Sequence, residues 1–444
     1  MSVSGLSPFG AAFSEEAAAR LPGPDWLRER RSDAARRLAR AALPSESEEA
    51  WRYSRIEEID LSDAVPASRA AHDGTACSDA SRFLEAVGAR AATVRTVAGQ
   101  VDAVELSPEL AGLGVEVARA VDLASPPRGL GAVLAPRRDA FTDLADGFGR
   151  DAVVCTVPDG VRVDHPIVVV HEVGEHADGA VVLPRTLLSL GSGARASVVE
   201  LLLSGPGRAL VVPIVELDVG DGAELAFTSV QLLGRATWQV ACHASRLGRD
   251  AVLRSFVAAL GGDYARQLTQ SELGGAGCSS ELLAVYLGDG TQVQDFRTFQ
   301  EHVAPRTRSE LVFKGAVSGT ARSVYTGLIH MHAGAKRADA SQTNRNLVLS
   351  EGAHADSVPN LDIEENDVRC SHASAVGPID EEQLFYLASR GVPPDVAERL
   401  VLLGFFEDLL ARAPEAGVAS YLRGAVADRI ASAAALDEPA REAS

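Results

Sequence analysis

Two residues near the carboxyl end of the chain carry side chains that bind soft and borderline metal ions. Cys370 and His372 lie two residues apart in the stretch CSHASAVG, at the end of a strand-like region. Residues two apart on a β-strand project from the same face. A thiolate and an imidazole suit iron and related metals, but two ligands cannot close a tetrahedral site. The pattern predicts a partial metal site completed by another chain or by the cargo. A structural cysteine and histidine at a strand end is the alternative.

A second pair of imidazoles occurs upstream. His330 and His332, in LIHMHAG, also share one face if this stretch is a strand. Metal contact is the sharper hypothesis for this pair, and hydrogen-bonded histidines are the alternative. Isolated histidines elsewhere carry no spacing that predicts a site.

The cysteines do not form a self-contained site. There are five, at 77, 155, 242, 278 and 370, widely spaced and without a C-x-x-C motif. This usage argues against a disulfide framework and against a four-ligand zinc site. Most of them are expected to be buried as small apolar side chains.

Familiar catalytic motifs are absent from the sequence. It contains no G-x-x-x-x-G-K-[ST], no G-x-G-x-x-G between a strand and a helix, no G-x-S-x-G and no H-E-x-x-H. No feature pairs two carboxylates for acid–base chemistry. These absences disfavour an enzyme.

The elements that position these residues begin with a helical region over residues 1–92. Helical patterns cover 25–43 and continue into 48–61, where Trp51 and Tyr53 follow two glutamates. We interpret the two aromatic residues as a small anchor that docks this segment on the next domain.

Residues 93–378 change to short β-branched runs closed by glycine turns. Gly193, Gly222, Gly248 and Gly275 each precede a new strand, at steps of 29, 26 and 27 residues. A constant period of this size is typical of stacked coils that bury a continuous core together. We therefore predict a mainly β fold, a right-handed parallel β-helix flanked by α-helical regions. A β-sandwich is the alternative, although its strands usually turn over every 8–12 residues.

Residues 379–444 return to helical patterns. A helix over 379–391 ends at Gly391, and a second begins at the following prolines. The stretch 395–412 is apolar nearly all round, which predicts burial on two sides. One side packs on the chain itself. The other is covered either by a partner or by an internal helix bundle.

Charge and hydropathy narrow the class of partners. The formal net charge is −19, which disfavours nucleic acid and anionic membranes. No stretch approaches the roughly 20 apolar residues of a membrane-spanning helix. The amino terminus lacks the pattern of a secretory signal. A cytoplasmic location is predicted.

Residues 325–392 resemble the carboxyl half of the SufB/SufD family of iron–sulfur cluster assembly proteins. The resemblance is carried by A-x-Q-x-x-x-N-L-x-L-S from Ala340, G-A-x-A-D-S-x-P from Gly352, and C-S-H…V-G-x-I-D-E-E-Q-L-F-Y-L-x-S-R-G from Cys370. G-V-x-x-D-x-P-I at Gly160 and E-E-x-W-R-Y at Glu48 extend it to about residues 48–410.

The details resemble the SufD branch of the family. The SufB branch carries a cysteine where this chain has Thr343, and a Glu-His-Glu cluster where this chain has Ser371, His372 and Ala373. The chain departs from the pattern of the SufD branch at two positions. Ala373 replaces a residue that is usually glycine, and Ala375 replaces one that is usually threonine. The methyl group of Ala373 could tilt the His372 imidazole. The alternative within the family is a primary scaffold of the SufB type in which Thr343 stands in place of the usual cysteine.

The resemblance implies a non-catalytic scaffold subunit of the SufBCD complex, with a parallel β-helix between helical ends. It implies pairing with a SufB paralogue and binding of the ATPase SufC by the C-terminal helical domain, 379–444. A nascent iron–sulfur cluster would form at the SufB–SufD interface, with His372 as a ligand and Cys370 beside it. A homodimer of the isolated chain and reduced flavin in the complex are also compatible with it. A β-helical polysaccharide lyase or acyltransferase is the enzyme alternative, but export signals and hexapeptide repeats are missing.

Overall fold

A computed structural model describes residues 9–67, 78–134, 138–174 and 179–441. The chain is a parallel β-solenoid with helices at both ends, as predicted. The described strands are β1 (Val65–Pro66), β2 (Ala92–Val97), β3 (Gln100–Leu106), β4 (Glu116–Arg119), β5 (Val153–Val157), β6 (Ile167–Glu172), β7 (Ala180–Val182), β8 (Arg185–Leu190), β9 (Arg195–Leu203), β10 (Ala209–Val211), β11 (Ile214–Val219), β12 (Glu224–Leu232), β13 (Thr237–Leu247), β14 (Val252–Ala259), β15 (Tyr264–Leu273), β16 (Ser279–Gly288), β17 (Val293–His302), β18 (Arg308–Val317), β19 (Arg322–Met331), β20 (Asp339–Val348), β21 (His354–Ile363) and β22 (Arg369–Gly377).

Helices flank this stack. The α-helices of the described chain are α1 (Glu15–Ala19), α2 (Asp25–Leu38), α3 (Ser78–Val87), α4 (Pro108–Gly112), α5 (Ala140–Phe148), α6 (Glu381–Ser389), α7 (Pro394–Leu410) and α8 (Ala416–Arg441). None of the helices in the described ranges has the length and apolar content that a membrane span requires. The division into domains at 92 and 378 stays a prediction.

Two sheets form the walls of the solenoid. Sheet A runs β21-β19-β17-β15-β13-β11-β8-β5-β4, with β1, β7 and β10 beside this path, and sheet B runs β22-β20-β18-β16-β14-β12-β9-β6-β2-β3. All strand pairs are parallel except β2–β3 and β4–β5 at the amino-terminal end. Each coil therefore adds one strand to each wall.

The coil length follows from one column of paired residues in sheet B. The column consists of Arg195, Glu224, Val252, Ser279, Arg308, Asp339 and Arg369. Successive members are 27 to 31 residues apart, which agrees with the period of the glycine turns. Gly193 and Gly222 adopt φ of 65°, the left-handed conformation that favours glycine in such turns.

The core lies between the two sheets, and each sheet also packs on its outer face. Inward side chains such as Phe227, Tyr286 and Phe313 form one continuous apolar cluster. The outer face of sheet B is covered by α3, α7 and α8. The outer face of sheet A is covered by the amino-terminal region, including α2 and α5.

Trp51 docks the amino-terminal region on sheet A, as predicted. Its indole is buried, lies 5.5 Å from the ring of Phe141, and carries the Arg266 guanidinium 3.8 Å above it. Arg266 also donates to the carbonyl of Ala50 at 2.5 Å. Tyr53, by contrast, remains 40% exposed. Trp51 is therefore the residue that carries the anchor.

The helix predicted through 48–61 is not formed. The structure has only two short 3-10 turns there, Glu49–Trp51 and Ile56–Glu58. Tyr53 adopts φ of 66°, which interrupts a right-handed helix. The carbonyls of Ala50 and Arg52 are bound by Arg266 and Arg297 instead of by helical N–H groups.

Buried ion pairs tie α5 to its surroundings. Asp146 of α5 is fully buried and pairs with Arg30, Arg138 and Arg185. Burial alone would raise the pKa of this carboxyl, but the Coulombic attraction of Arg185, Arg30 and Arg138 outweighs it and holds the pKa well below its usual range.

Candidate functional site

Cys370 and His372 lie on β22, the last strand of sheet B. They pair in register with Ala340 and Gln342 of β20, whose side chains point into the solenoid. Both therefore belong to the inward row of the last coil. In the described chain no strand follows β22 in its sheet, so this row faces the open end of the stack.

The two side chains differ in exposure. Cys370 is half-buried against the small apolar cluster that contains Ile329, Met331 and Ala340. Burial, and more weakly the negative charge of Asp339, raises the pKa of the Cys370 thiol to about 11. His372 is exposed. The thiol thus lies at the rim of the core, and the imidazole is accessible from outside.

Ala373 does not crowd His372. Successive side chains on β22 alternate between faces, so its methyl projects from the outer face of sheet B, where it is exposed. The substitution of the glycine usual in the resembling family thus adds no bulk on the side of the imidazole.

A buried amide lies beneath His372. Both polar atoms of the Gln342 side chain are buried and have no hydrogen-bond partner within the described ranges. Leaving such a group unpaired is costly, so native proteins rarely do so without water or a ligand nearby. The amide of Gln342 is therefore a polar group directly beneath the inward row of the last coil.

Exposed apolar side chains also lie on the inward rows of the last coil, which carries Cys370 and His372. Leu361, Ile363 and Val376 belong to inward rows of β21 and β22, and they are 36%, 47% and 46% exposed. In every earlier coil such positions are covered by the next coil. Exposed apolar area next to unpaired strand edges is typical of an interaction surface.

The other predicted candidates have different locations. Cys155, Cys242 and Cys278 are buried, as expected, whereas Cys77 lies outside the described residues. His330 belongs to β19 and His332 follows it directly. Their rings stack at 3.7 Å, so the two imidazoles lie on one side, as predicted.

A second exposed apolar surface lies on α6 and α7. Phe385 and Tyr386 are 76% and 57% exposed, and Leu400 is 47% exposed. A groove of about 750 Å³ separates the two helices. Lys314 of β18 holds α7 on sheet B by binding Asp408 at 2.6 Å, so one side of α7 is docked and the other faces this groove.

The geometry allows ligation but no self-sufficient chemistry at the open end. One sulfur and one imidazole nitrogen on a rigid edge can donate two ligands to a metal that approaches from outside. Any further ligands of such a metal would have to come from outside the described coil. The sequence predicted that Cys370 and His372 project from the same face of a strand. It missed Gln342 and the apolar rim, because their roles depend on register with a strand thirty residues away.

Comparison with known proteins identifies the family of the chain. Residues 173–405 match the family model described as SUF system FeS cluster assembly, SufBD core domain. An iron–sulfur cluster assembly SufBD family protein of Mycobacterium tuberculosis is 40% identical over 220 residues, which cover 48% of this chain and 55% of the relative. The chain thus spans about half the length of this relative.

The fold is a parallel solenoid between helical ends, and the chain belongs to the SufBD family of iron–sulfur cluster assembly proteins. Within that family it is similar to the SufD proteins. The Escherichia coli SufD is 28% identical over 399 residues, 88% of this chain and 90% of the relative. The Bacillus subtilis SufD is 32% identical over 272 residues, 60% of this chain and 61% of the relative. The predicted SufD-type assignment is confirmed.

Proposed function

We propose that the chain is a non-catalytic scaffold subunit that pairs with a SufB paralogue through its open end. A nascent iron–sulfur cluster is the cargo at this interface. His372 contributes an imidazole ligand, and Cys370 contributes a thiolate beside it. SufC, the ATPase of the same system, binds the C-terminal helices.

The observation that carries this proposal is the inward row left open at β22. A cluster iron needs about four ligands, and this row offers two of the appropriate kind. The exposed Leu361, Ile363 and Val376 favour a protein as the covering partner, because water would leave their apolar surface solvated. A paralogous solenoid end would supply both the apolar cover and the further ligands.

The groove between α6 and α7 supports the second interaction. Its apolar lining includes Tyr386, Leu387, Leu400, Val401 and Phe405 of the two helices, and Leu347 of β20. The exposed aromatic rings of Phe385 and Tyr386 are of the type that dominates the energy of protein interfaces. SufC is proposed to cover this surface, which explains why α7 is apolar on both sides.

Removal of the imidazole tests the cluster role. His372→Ala, in the complex with SufB and SufC under anaerobic iron and sulfide, should build less cluster as measured by visible absorption and iron content. His354→Ala is the matched control, because His354 is an exposed histidine on the outer row of β21 that pairs with Asp356. Equal cluster build-up in both variants would contradict the assignment.

A charged residue at the rim tests the pairing surface. Ile363→Asp should abolish co-purification with SufB, because a carboxylate would be desolvated in the interface. Leu113→Asp is the control: Leu113 is 54% exposed but follows α4 at the opposite end of the solenoid. Sedimentation of the isolated chain adds a second reading, since a homodimer through the same end would dissociate in the Ile363 variant alone.

Truncation of the aromatic pair tests SufC binding. The double variant Phe385→Ala/Tyr386→Ala should lose SufC in pull-down experiments while it retains SufB. Retention of SufC at wild-type affinity would remove this groove from the proposal and would leave the pairing surface unaffected.

A further inference from the structure

A second cluster of metal-ligating side chains lies on the outer face of sheet A. Its centre is the carboxylate of Glu301, near the end of β17. Oε2 of Glu301 lies 3.0 Å from Nδ1 of His330 and 2.9 Å from Nε2 of His332. One ligand atom from each of the three residues lies within 4.8 Å of the other two.

The stacking of coils produces this arrangement. Glu301 pairs in register with His330, and His330 pairs with Asp362 on β21. Parallel strands lie about 4.8 Å apart, so side chains in one outward column meet at ligand distances. Glu364, which follows β21, adds a further carboxylate, whose Oε1 lies 3.6 Å from Nε2 of His330. Three successive coils thus contribute to one cluster.

The donor set is of the kind that binds first-row transition metals. Two imidazoles and one carboxylate with open positions is the ligand set of mononuclear iron(II) sites, and zinc accepts the same donors. Donor spacings of 2.9 and 3.0 Å equal the separation of neighbouring ligands around an ion with bonds of about 2.1 Å. Calcium and magnesium, which require oxygen ligands, fit this set poorly.

The second nitrogen of His330 supports the same assignment. Nε2 is buried and has no hydrogen-bond partner in the described part of the chain, although Glu364 and Asp362 approach it to 3.6 and 3.9 Å. Metal-bound histidines usually donate their other ring N–H to a carboxylate. Glu364 lies where that carboxylate is needed, and its other oxygen is held by the N–H of Ala333 at 3.2 Å.

We propose that Glu301, His330 and His332 bind one divalent first-row transition-metal ion of the Fe²⁺ to Zn²⁺ series, with Glu364 as the carboxylate that orients His330. This site is separate from Cys370 and His372, and it does not depend on pairing with another subunit. The three ligands come from two successive coils, and Glu364 comes from the last coil. The bound ion therefore joins the coils of β17 and β19, and the contact of His330 with Glu364 extends this link to the last coil, which carries the open end.

The test uses Co²⁺ as a spectroscopic probe on the full-length isolated chain. The wild type should bind Co²⁺ with visible d–d bands that saturate at one ion from this site. His330→Ala and His332→Ala should abolish those bands. Glu364→Gln should weaken binding by about 10- to 100-fold, the range observed when such orienting partners are removed. Cys370→Ser/His372→Ala and His354→Ala should leave the bands unchanged, which separates this site from the open end.

Additional variants and competing metal ions test the same site further. Should an alanine variant fail to fold, Glu301→Gln and His332→Gln keep the side-chain volume and must still remove the bands. Excess Fe²⁺ under anaerobic conditions should compete with Co²⁺. Saturation should raise the melting temperature of the wild type and of the Cys370/His372 and His354 controls, but not that of variants at Glu301, His330 or His332. Bands that persist without the histidines, equal competition by Ca²⁺, or loss of all Co²⁺ binding in the Cys370/His372 variant would overturn the proposal.

Discussion

Replacement of Trp51 by alanine should detach the amino-terminal region from the outer face of sheet A. The indole is 4% exposed, so truncation leaves a cavity among Phe141 and its neighbours. Such a truncation costs about 3–5 kcal/mol, and loss of a desolvated cation–π contact adds about 2. Arg266 keeps its bond to Asp295 at 2.7 Å, so no unpaired buried charge is created. The expected loss in the free energy of unfolding is therefore about 5–7 kcal/mol.

The assay compares Trp51→Ala with Tyr53→Ala, two residues away. Tyr53 is 40% exposed, and the Arg322 guanidinium lies 5.5 Å from the centroid of its ring, so its removal should cost less than about 1 kcal/mol. Urea denaturation followed by far-UV circular dichroism measures the difference, and limited proteolysis within 44–63 detects local detachment. Similar small losses in both variants would refute the reasoning that Trp51 is the anchor.

Three further perturbations test the interior and the open end. Asp146→Asn should destabilise the chain by about 3–5 kcal/mol at neutral pH. Since the folded-state pKa is depressed, the stability that this carboxylate contributes is complete above about pH 4 and is lost as pH falls toward the folded value, so acid titration by circular dichroism should be flatter in the variant. Cys370 should react with iodoacetamide faster than the buried Cys155, by peptide mass spectrometry, and addition of SufB should protect it; equal rates would contradict the described exposure. Gly315→Ala should cost about 1–3 kcal/mol, because its Cβ would lie 1.9 Å from a tyrosine ring carbon, whereas Gly377→Ala meets nothing within 4 Å and should be neutral in thermal unfolding.

The coil architecture was predictable because its signal is local and repeated. Turn glycines such as Gly193 and Gly222 recur once per coil, and the alternation between them follows the pleat of each strand. The shared face of Cys370 and His372 follows from the same alternation. Which face they share was not predictable, because inward and outward rows are distinguished only by pairing with Ala340 and Gln342 on another coil.

The predictions that failed or were incomplete did so because of contacts between residues far apart in the sequence. The stretch 48–61 has helical spacing, yet Arg266 and Arg297 bind its carbonyls from sheet A and prevent a helix. The sequence pairs His330 with His332, but Glu301 joins them only through the register of two coils. Once a step of 29 residues is known, Glu301 can be placed beside His330 by counting along the chain.

The open end also has a consequence for the amount of isolated chain in the cell. The isolated chain presents β21 and β22 as edge strands, next to exposed apolar side chains. An edge strand of this kind can pair with a strand of another chain through its main-chain donors and acceptors. Under the proposed pairing, molecules in excess of the counterpart would keep this edge uncovered. The proposal therefore implies that the two subunits are synthesised in balanced amounts.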